Sequence, residues 1–288
     1  MTQGTLFGLD HADDRKPEND QWRPLRLVVT VKAAPNPHAT YGETVCVAGL
    51  RLDLEHPGWV RLYPVVWHLL RPDQRFAKYD VVALRAKPSR RDPRIESWLP
   101  DLPSITVEGS IQGWRNRLSH VIPFVGDSMC EVLEKFRTNP PARSLAAVRS
   151  SSILDVNVEH HPGWSEDEQS KIAHYLRHPD LDDTPRVAPK APRMRGWYRY
   201  RCQERTCGTH RQQILDEDWV IAQRKWGDID DAELAARLRQ RFRNEMCGDD
   251  RDVIFFVGNQ AKRQQAYSVL GVFCPPRHPW RPTGRRRW

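Results

Sequence analysis

Between Leu25 and Glu108 the apolar positions come in short, β-branched runs cut by turn residues, the pattern of strands rather than helices. Leu25-Arg26-Leu27-Val28-Val29-Thr30-Val31 lies between Pro24 and the Pro35-Asn36-Pro37 turn, and Glu43–Gly49 follows Gly42. Trp59–Pro64 follows His56-Pro57-Gly58, Tyr79–Ala86 is a fourth run, and Ser104–Glu108 is a fifth. Five short strands spaced by turn signals predict a small antiparallel β-barrel, OB-like or SH3-like, over residues 23–125.

The period then changes. Met129, Val132, Leu133 and Phe136 recur at helical spacing after Asp127 and Ser128, either of which suits an N-cap. Ser152–Glu159 alternates as a strand, and Ser165-Glu166-Asp167-Glu168 opens a helix with a capping-box pattern that carries it to about Arg177. His160 and His161 are adjacent on an extended stretch, so they face opposite ways and read as surface residues. Leu234, Leu238 and Phe242 form an i, i+4, i+8 stripe within Ile229–Phe242, the clearest helix in the chain. Val253–Asn259 and Ala266–Phe273 read as a buried hairpin.

The fold expected is α+β: an N-terminal barrel followed by a C-terminal zinc-knuckle α+β domain. Its parts are a polar tail at 1–22, the barrel at 23–125, a helix and strand connector at 126–180, a proline-rich linker at 181–195, a basic α+β domain at 196–276 and a basic tail at 277–288. No apolar run approaches the roughly 20 residues that span a bilayer, and the N-terminus has no basic region leading into an apolar one. The chain therefore reads as cytoplasmic, with no membrane partner.

Charge sharpens the picture. The formal net charge is +8, concentrated late: Arg251 to Trp288 holds eight Lys or Arg against Asp252, and Thr184 to Arg211 holds eight against Glu204. Two cationic segments suit a polyanion such as DNA or RNA. The six cysteines are too scattered for a disulfide scaffold and read as thiols or metal ligands.

Cys202, Cys207 and His210 are spaced C-x4-C-x2-H, close enough for thiolates and an imidazole to wrap one tetrahedral zinc ion. Gly208 suits a knuckle turn that needs positive φ. Cys247, followed by Gly248, is the first choice for a fourth ligand, with Cys274 or a water second. A structural zinc is the expected cofactor. An open catalytic site would need a nearby acid such as Glu204, Asp216 or Asp218, but those two aspartates read better as a helix start.

Directly before the knuckle, Trp197, Tyr198, Arg199, Tyr200 and Arg201 offer stacking surfaces and cations to nucleic acid. Arg90, Arg91 and Arg94 sit on a proline-stiffened loop where they either hold phosphates or pair with Asp92 and Glu96. Lys262 and Arg263 form a hairpin tip, and Arg285, Arg286 and Arg287 would add unspecific phosphate affinity. Gln3-Gly4-Thr5-Leu6-Phe7 resembles the Gln-x-x-Leu-Phe peptide with which bacterial replication and repair proteins dock on the sliding clamp. That resemblance implies contacts through Gln3, Leu6 and Phe7.

The function these readings favour is a non-catalytic nucleic-acid-binding accessory in bacterial repair, replication or defence. Alternatives are a metal-dependent nuclease or nucleotide-modifying enzyme, or an adaptor in a larger complex. The chain shows no paired-carboxylate-plus-lysine nuclease pattern, no phosphate-cradling glycine loop and no serine or cysteine nucleophile set.

Overall fold

The computed structural model describes residues 16–138, 143–177, 186–261 and 263–277. Gln3, Leu6, Phe7, Lys262, Arg285, Arg286 and Arg287 lie outside the described residues, and with them the clamp peptide and the basic tail.

The N-terminal strands are β1 (Arg23–Lys32), β2 (Asn36–His38), β3 (Gly42–Arg51), β4 (Trp59–Val65), β5 (Asp80–Pro88), β6 (Ser97–Pro100) and β7 (Thr106–Ser110). Five of them close into a barrel in the order β1-β3-β4-β6-β5, and β5 returns to pair with β1. The predicted barrel is present with two corrections. Its fifth strand is Ser97–Pro100, starting at the end of the stretch read as a loop, whereas β7 pairs with β5 outside the closure. The pairing of β4 with β6 is parallel, so the barrel is not wholly antiparallel. A four-residue strand ending in proline leaves no alternation to read.

β1 explains its own composition. Leu25, Leu27 and Val29 point into the barrel with Val47, Val60, Leu62, Leu84 and Trp98. Val28, by alternation, and Val31, set on that side by a bulge between Val29 and Val31, face the second sheet. A strand buried on both faces is nearly all apolar.

The second sheet is antiparallel, built from β8 (Leu145–His160), β9 (Met194–Cys202), β10 (His210–Gln213), β11 (Ile254–Gln260) and β12 (Arg263–Phe273) in the order β10-β9-β8-β11-β12. It curls: Ile214, just after β10, bridges Val269 on the far edge strand. β8 begins inside the stretch read as a connector and is the central strand of this sheet.

Among the described residues five α-helices accompany the sheets: α1 (Trp114–Val121), α2 (Met129–Thr138), α3 (Glu166–Arg177), α4 (Glu217–Lys225) and α5 (Asp231–Arg239). Ser128 and Glu131 close a reciprocal capping box on α2, and Ser165 and Glu168 do the same on α3. Beyond Arg239 the last helix loosens into a π-turn over Gln240–Glu245, which keeps Phe242 buried in one cluster with Leu234 and Leu238. That stripe packs with Met129 and Val132 of α2 and Trp219 of α4 on Tyr198, Tyr200 and Phe255. No described helix is long and apolar enough to cross a membrane.

The two sheets share a seam. Val28, Val31, Ala48, Leu50 and Trp59 on the barrel's outer face meet Leu145, Ala147, Ile254, Phe256, Leu270 and Phe273 of the second sheet. Trp59 stands edge-on to Phe256 with ring centroids 6.1 Å apart. At its rim, the buried Arg61 donates to the Ser144 carbonyl and hydroxyl, while Ser144 N–H and hydroxyl donate to Glu96.

Phe256 has no solvent on either side, so Phe256→Ala should cost about 3–5 kcal/mol. Urea unfolding followed by circular dichroism should show one transition moved as a whole. Two transitions, only one of them shifted, would contradict a shared core.

Candidate metal centre and basic sheet face

β9 sorts its side chains by alternation. Met194, Tyr198, Tyr200 and Cys202 point into the core, and Arg195, Trp197, Arg199 and Arg201 occupy the opposite face. Trp219 of α4 fixes this orientation: its indole lies on Gly196, where an added Cβ would come within 2.5 Å of the ring, and its N–H donates to the Met194 carbonyl at 3.0 Å. The phenols are satisfied inside, Tyr198 donating to the Phe242 carbonyl and Tyr200 to Gln212 Oε1 at 2.7 Å. Burial pushes both phenols well above their ordinary range.

Tyr198 and Tyr200 are therefore core residues with no stacking surface to offer, a correction to the sequence reading. In Trp-Tyr-Arg-Tyr-Arg the tyrosines take one face of the strand, and Trp197 shares the other with the arginines. On β10, Arg211 lies opposite Arg199, and on β8 Glu159 lies opposite Arg195. The guanidinium of Arg195 lies 5.0 Å and that of Arg211 4.1 Å from the Trp197 ring centre. Glu159 accepts from both, at 3.4 Å and 2.8 Å.

The inward end of β9 carries the second feature. Cys202, Cys207 and His210 are joined by Cys130 from the first turn of α2, and one ligand atom from each of the four lies within 4.8 Å of every other. Cys130 Sγ is 3.6 Å from Cys202 Sγ and 3.5 Å from His210 Nε2, and Cys207 Sγ is 3.2 Å from the same nitrogen. A tetrahedral ion with zinc–ligand lengths needs edges of about 3.8 Å between sulfurs and about 3.6 Å from sulfur to nitrogen. These three separations lie close to such edges, every other pair is within 4.8 Å, and the donor set, three thiols and an imidazole, is chemically suited to the ion. Burial opposes ionisation of Cys202, but the Glu204 backbone N–H and neighbouring donors outweigh it and hold the thiol near 6. Burial and the adjoining Cys202 push Cys130 up to about 12.

Cys247 is not the fourth member. It is buried beside Tyr198 and Phe242, near Cys274, away from the quartet. Cys130 was missed because it is 72 residues from Cys202 and has no partner cysteine beside it. Gly208 does not adopt positive φ, and an added Cβ there would meet nothing within 4 Å, so the knuckle does not require glycine.

The acids after the knuckle serve another contact. Asp216 caps α4, accepting from the Asp218 N–H at 3.0 Å. Lys78 of the barrel donates to Asp216 at 2.6 Å and to Asp218 at 2.8 Å. Burial raises the Asp216 carboxyl to about 6 even with Lys78 beside it. A lysine between two carboxylates does exist here, assembled across 138 residues and spent on joining the two sheets.

The loop after β5 is equally committed. Arg94 is held by Asp92 and donates to the Asn259 carbonyl at 2.6 Å, and Arg90 pairs with Asp20 and three backbone carbonyls at residues 17–19. Arg94 is thus paired with Asp92, one of the two acids the ion-pair alternative names, whereas Arg90 is held by Asp20 and Glu96 accepts from Ser144; Arg91 and Arg263 are exposed. Burial works against the Asp92 charge, but hydrogen bonds and attraction from Arg94 prevail and lower the carboxyl to about 2. A depressed carboxylate contributes stability that is present above its unfolded value near 4 and lost as pH falls through about 2. Asp92→Asn should accordingly lower the urea midpoint at pH 7 and have a much smaller effect near pH 2, vanishing below it; an equal loss at pH 7 and pH 2 would contradict the pairing.

No curated protein matches the chain. Among solved structures, tetrameric p202 HIN2 aligns at 8% identity over 91% of this chain and 97% of that one, with a TM-score of 0.28, a likeness too slight to carry any argument. A domain of unknown function, DUF8758, matches residues 23–123. A second, DUF8757, matches residues 125–287, more than half of the sequence, and the chain belongs to that family.

Proposed function

We propose that this protein binds nucleic acid through the outer face of β8, β9 and β10, held in shape by a structural zinc ion at Cys130, Cys202, Cys207 and His210. The observation that carries the reading is the placement of Arg195, Arg199, Arg201 and Arg211 with Trp197 on one sheet face. Cations that recur at every second residue of a strand form a stripe about 7 Å in repeat, suited to a phosphate backbone. The zinc ties the end of β9, the turn to β10 and the start of α2 to one point. Four protein ligands make it a closed, structural site rather than a catalytic one.

The barrel order, with one parallel pair between its third and fifth strands, supports an OB-like reading of the N-terminal part. OB barrels commonly bind oligonucleotides on the face of their second and third strands. Here that face, β3 and β4, supplies Ala48, Leu50 and Trp59 to the seam. Binding is thereby assigned to the second sheet. A catalytic reading has less support, since Asp216 and Asp218 are engaged by Lys78. A clamp contact through Gln3, Leu6 and Phe7 would deliver such a protein to DNA, and it rests on the peptide's resemblance.

Two outcomes test this. Fluorescence anisotropy with a labelled oligonucleotide between 50 and 200 mM salt should give a log–log slope of about −2 to −3 from four arginines on a single strand, reduced by Arg199→Gln with Arg201→Gln. Absent or salt-insensitive binding would refute the reading. Metal analysis should find about one zinc per chain, lost in Cys130→Ser and retained in Cys247→Ser; the reverse would refute the assignment of the quartet.

A further inference from the structure

Trp197 is an unusual member of the outer face. It stands among exposed arginines yet is only 8% exposed. Its ring carries two guanidinia, and both are anchored by one carboxylate, that of Glu159. Register makes the arrangement: Asn157 of β8 and Gln213 of β10 lie opposite Trp197 on its two sides, and Glu159 lies opposite Arg195 one pair further along. A single anion thus holds two cations over an aromatic face. Both functions, bridging the guanidinia and neutralising them, are ones that a backbone phosphodiester can take over, because it presents one negative charge and two non-bridging oxygens just as the carboxylate does.

From this we infer that Glu159 is an internal stand-in for phosphate, and that the ligand displacing it is a single-stranded polynucleotide, whose unpaired base then stacks on Trp197. The inference rests on the nucleic-acid reading above and specifies its substrate class. Arg195 and Arg211 move off the ring onto a phosphate, Glu159 turns to solvent, and the indole is uncovered beside the bound strand. A base can reach an indole face only when it is unpaired, and sheet surfaces with an exposed aromatic are a common platform for single strands. Glu159 is half-exposed, as is Arg211, so the exchange needs no change in the core.

The test is titration of the full chain with labelled oligothymidylate and with a duplex of equal length, at fixed salt. Glu159→Gln removes the competing charge and should tighten single-strand binding about two- to fivefold, the range of an exposed ion pair. Trp197→Leu should weaken it about tenfold, the loss of one stacked base, while Trp197→Phe keeps an aromatic face and most of the affinity. Circular dichroism of each variant checks folding, and the Glu159 result stands alone if Trp197→Leu does not fold. Weaker or unchanged binding in Glu159→Gln would overturn the inference and leave the nucleic-acid reading intact. So would duplex binding as tight as single-strand binding. If the unmodified protein binds neither oligonucleotide, the nucleic-acid reading falls and takes this inference with it.

Discussion

The structure depends above all on strand β9 being buried on one side only. Its inward residues complete the core under α2, α4 and α5, and the opposite face is left to arginines and one tryptophan. Gly196 allows Trp219 to press against the strand, which sets the orientation of every residue after it. A slip by one residue would exchange the two faces, burying arginines and exposing tyrosines. The quartet of Cys130, Cys202, Cys207 and His210 lies at the end of that strand and guards against such a slip, since Cys202 meets Cys130 only in the observed register.

The seam between the two sheets assigns work to each part. On an isolated barrel the apolar outer surface of β1, β3 and β4 would face water, and here Phe256, Phe273 and their neighbours cover it. Paired charges line the margins: Lys32 with Glu217, Lys78 with Asp216 and Asp218, and Arg61 through Ser144 to Glu96. A buried pair of this kind contributes less through net attraction than through the penalty of breaking it, so it specifies how the parts fit together. The apolar outer face of β1, β3 and β4 is thereby committed to the second sheet.

The sequence was most informative where a single physical rule acted on neighbouring residues. Short β-branched runs announced the barrel strands, helical spacing behind an N-cap announced α2, a capping-box pattern announced α3, and the Leu234, Leu238, Phe242 stripe announced its helix. The spacing of Cys202, Cys207 and His210 marked three of four metal-ligand candidates. Rules acting over distance were illegible. Cys130 and Lys78 gain their roles only from partners 72 and 138 residues away. β6 is too short for a period, and Arg90 and Arg94 look like phosphate ligands until Asp20 and Asp92 are seen to hold them. The aromatic and arginine run misled for a simpler reason. It was read as one surface, whereas alternation divides it between core and solvent.

Cys130 of α2, Cys202 at the end of β9, Cys207 in the turn after it and His210 at the start of β10 are proposed to form one metal centre that holds the basic sheet face in place. X-ray absorption at the zinc edge of the native protein addresses it directly. The account predicts three sulfur ligands at about 2.3 Å and one nitrogen at about 2.0 Å. A shell with two sulfurs or fewer, or with oxygen in place of the third, would contradict it.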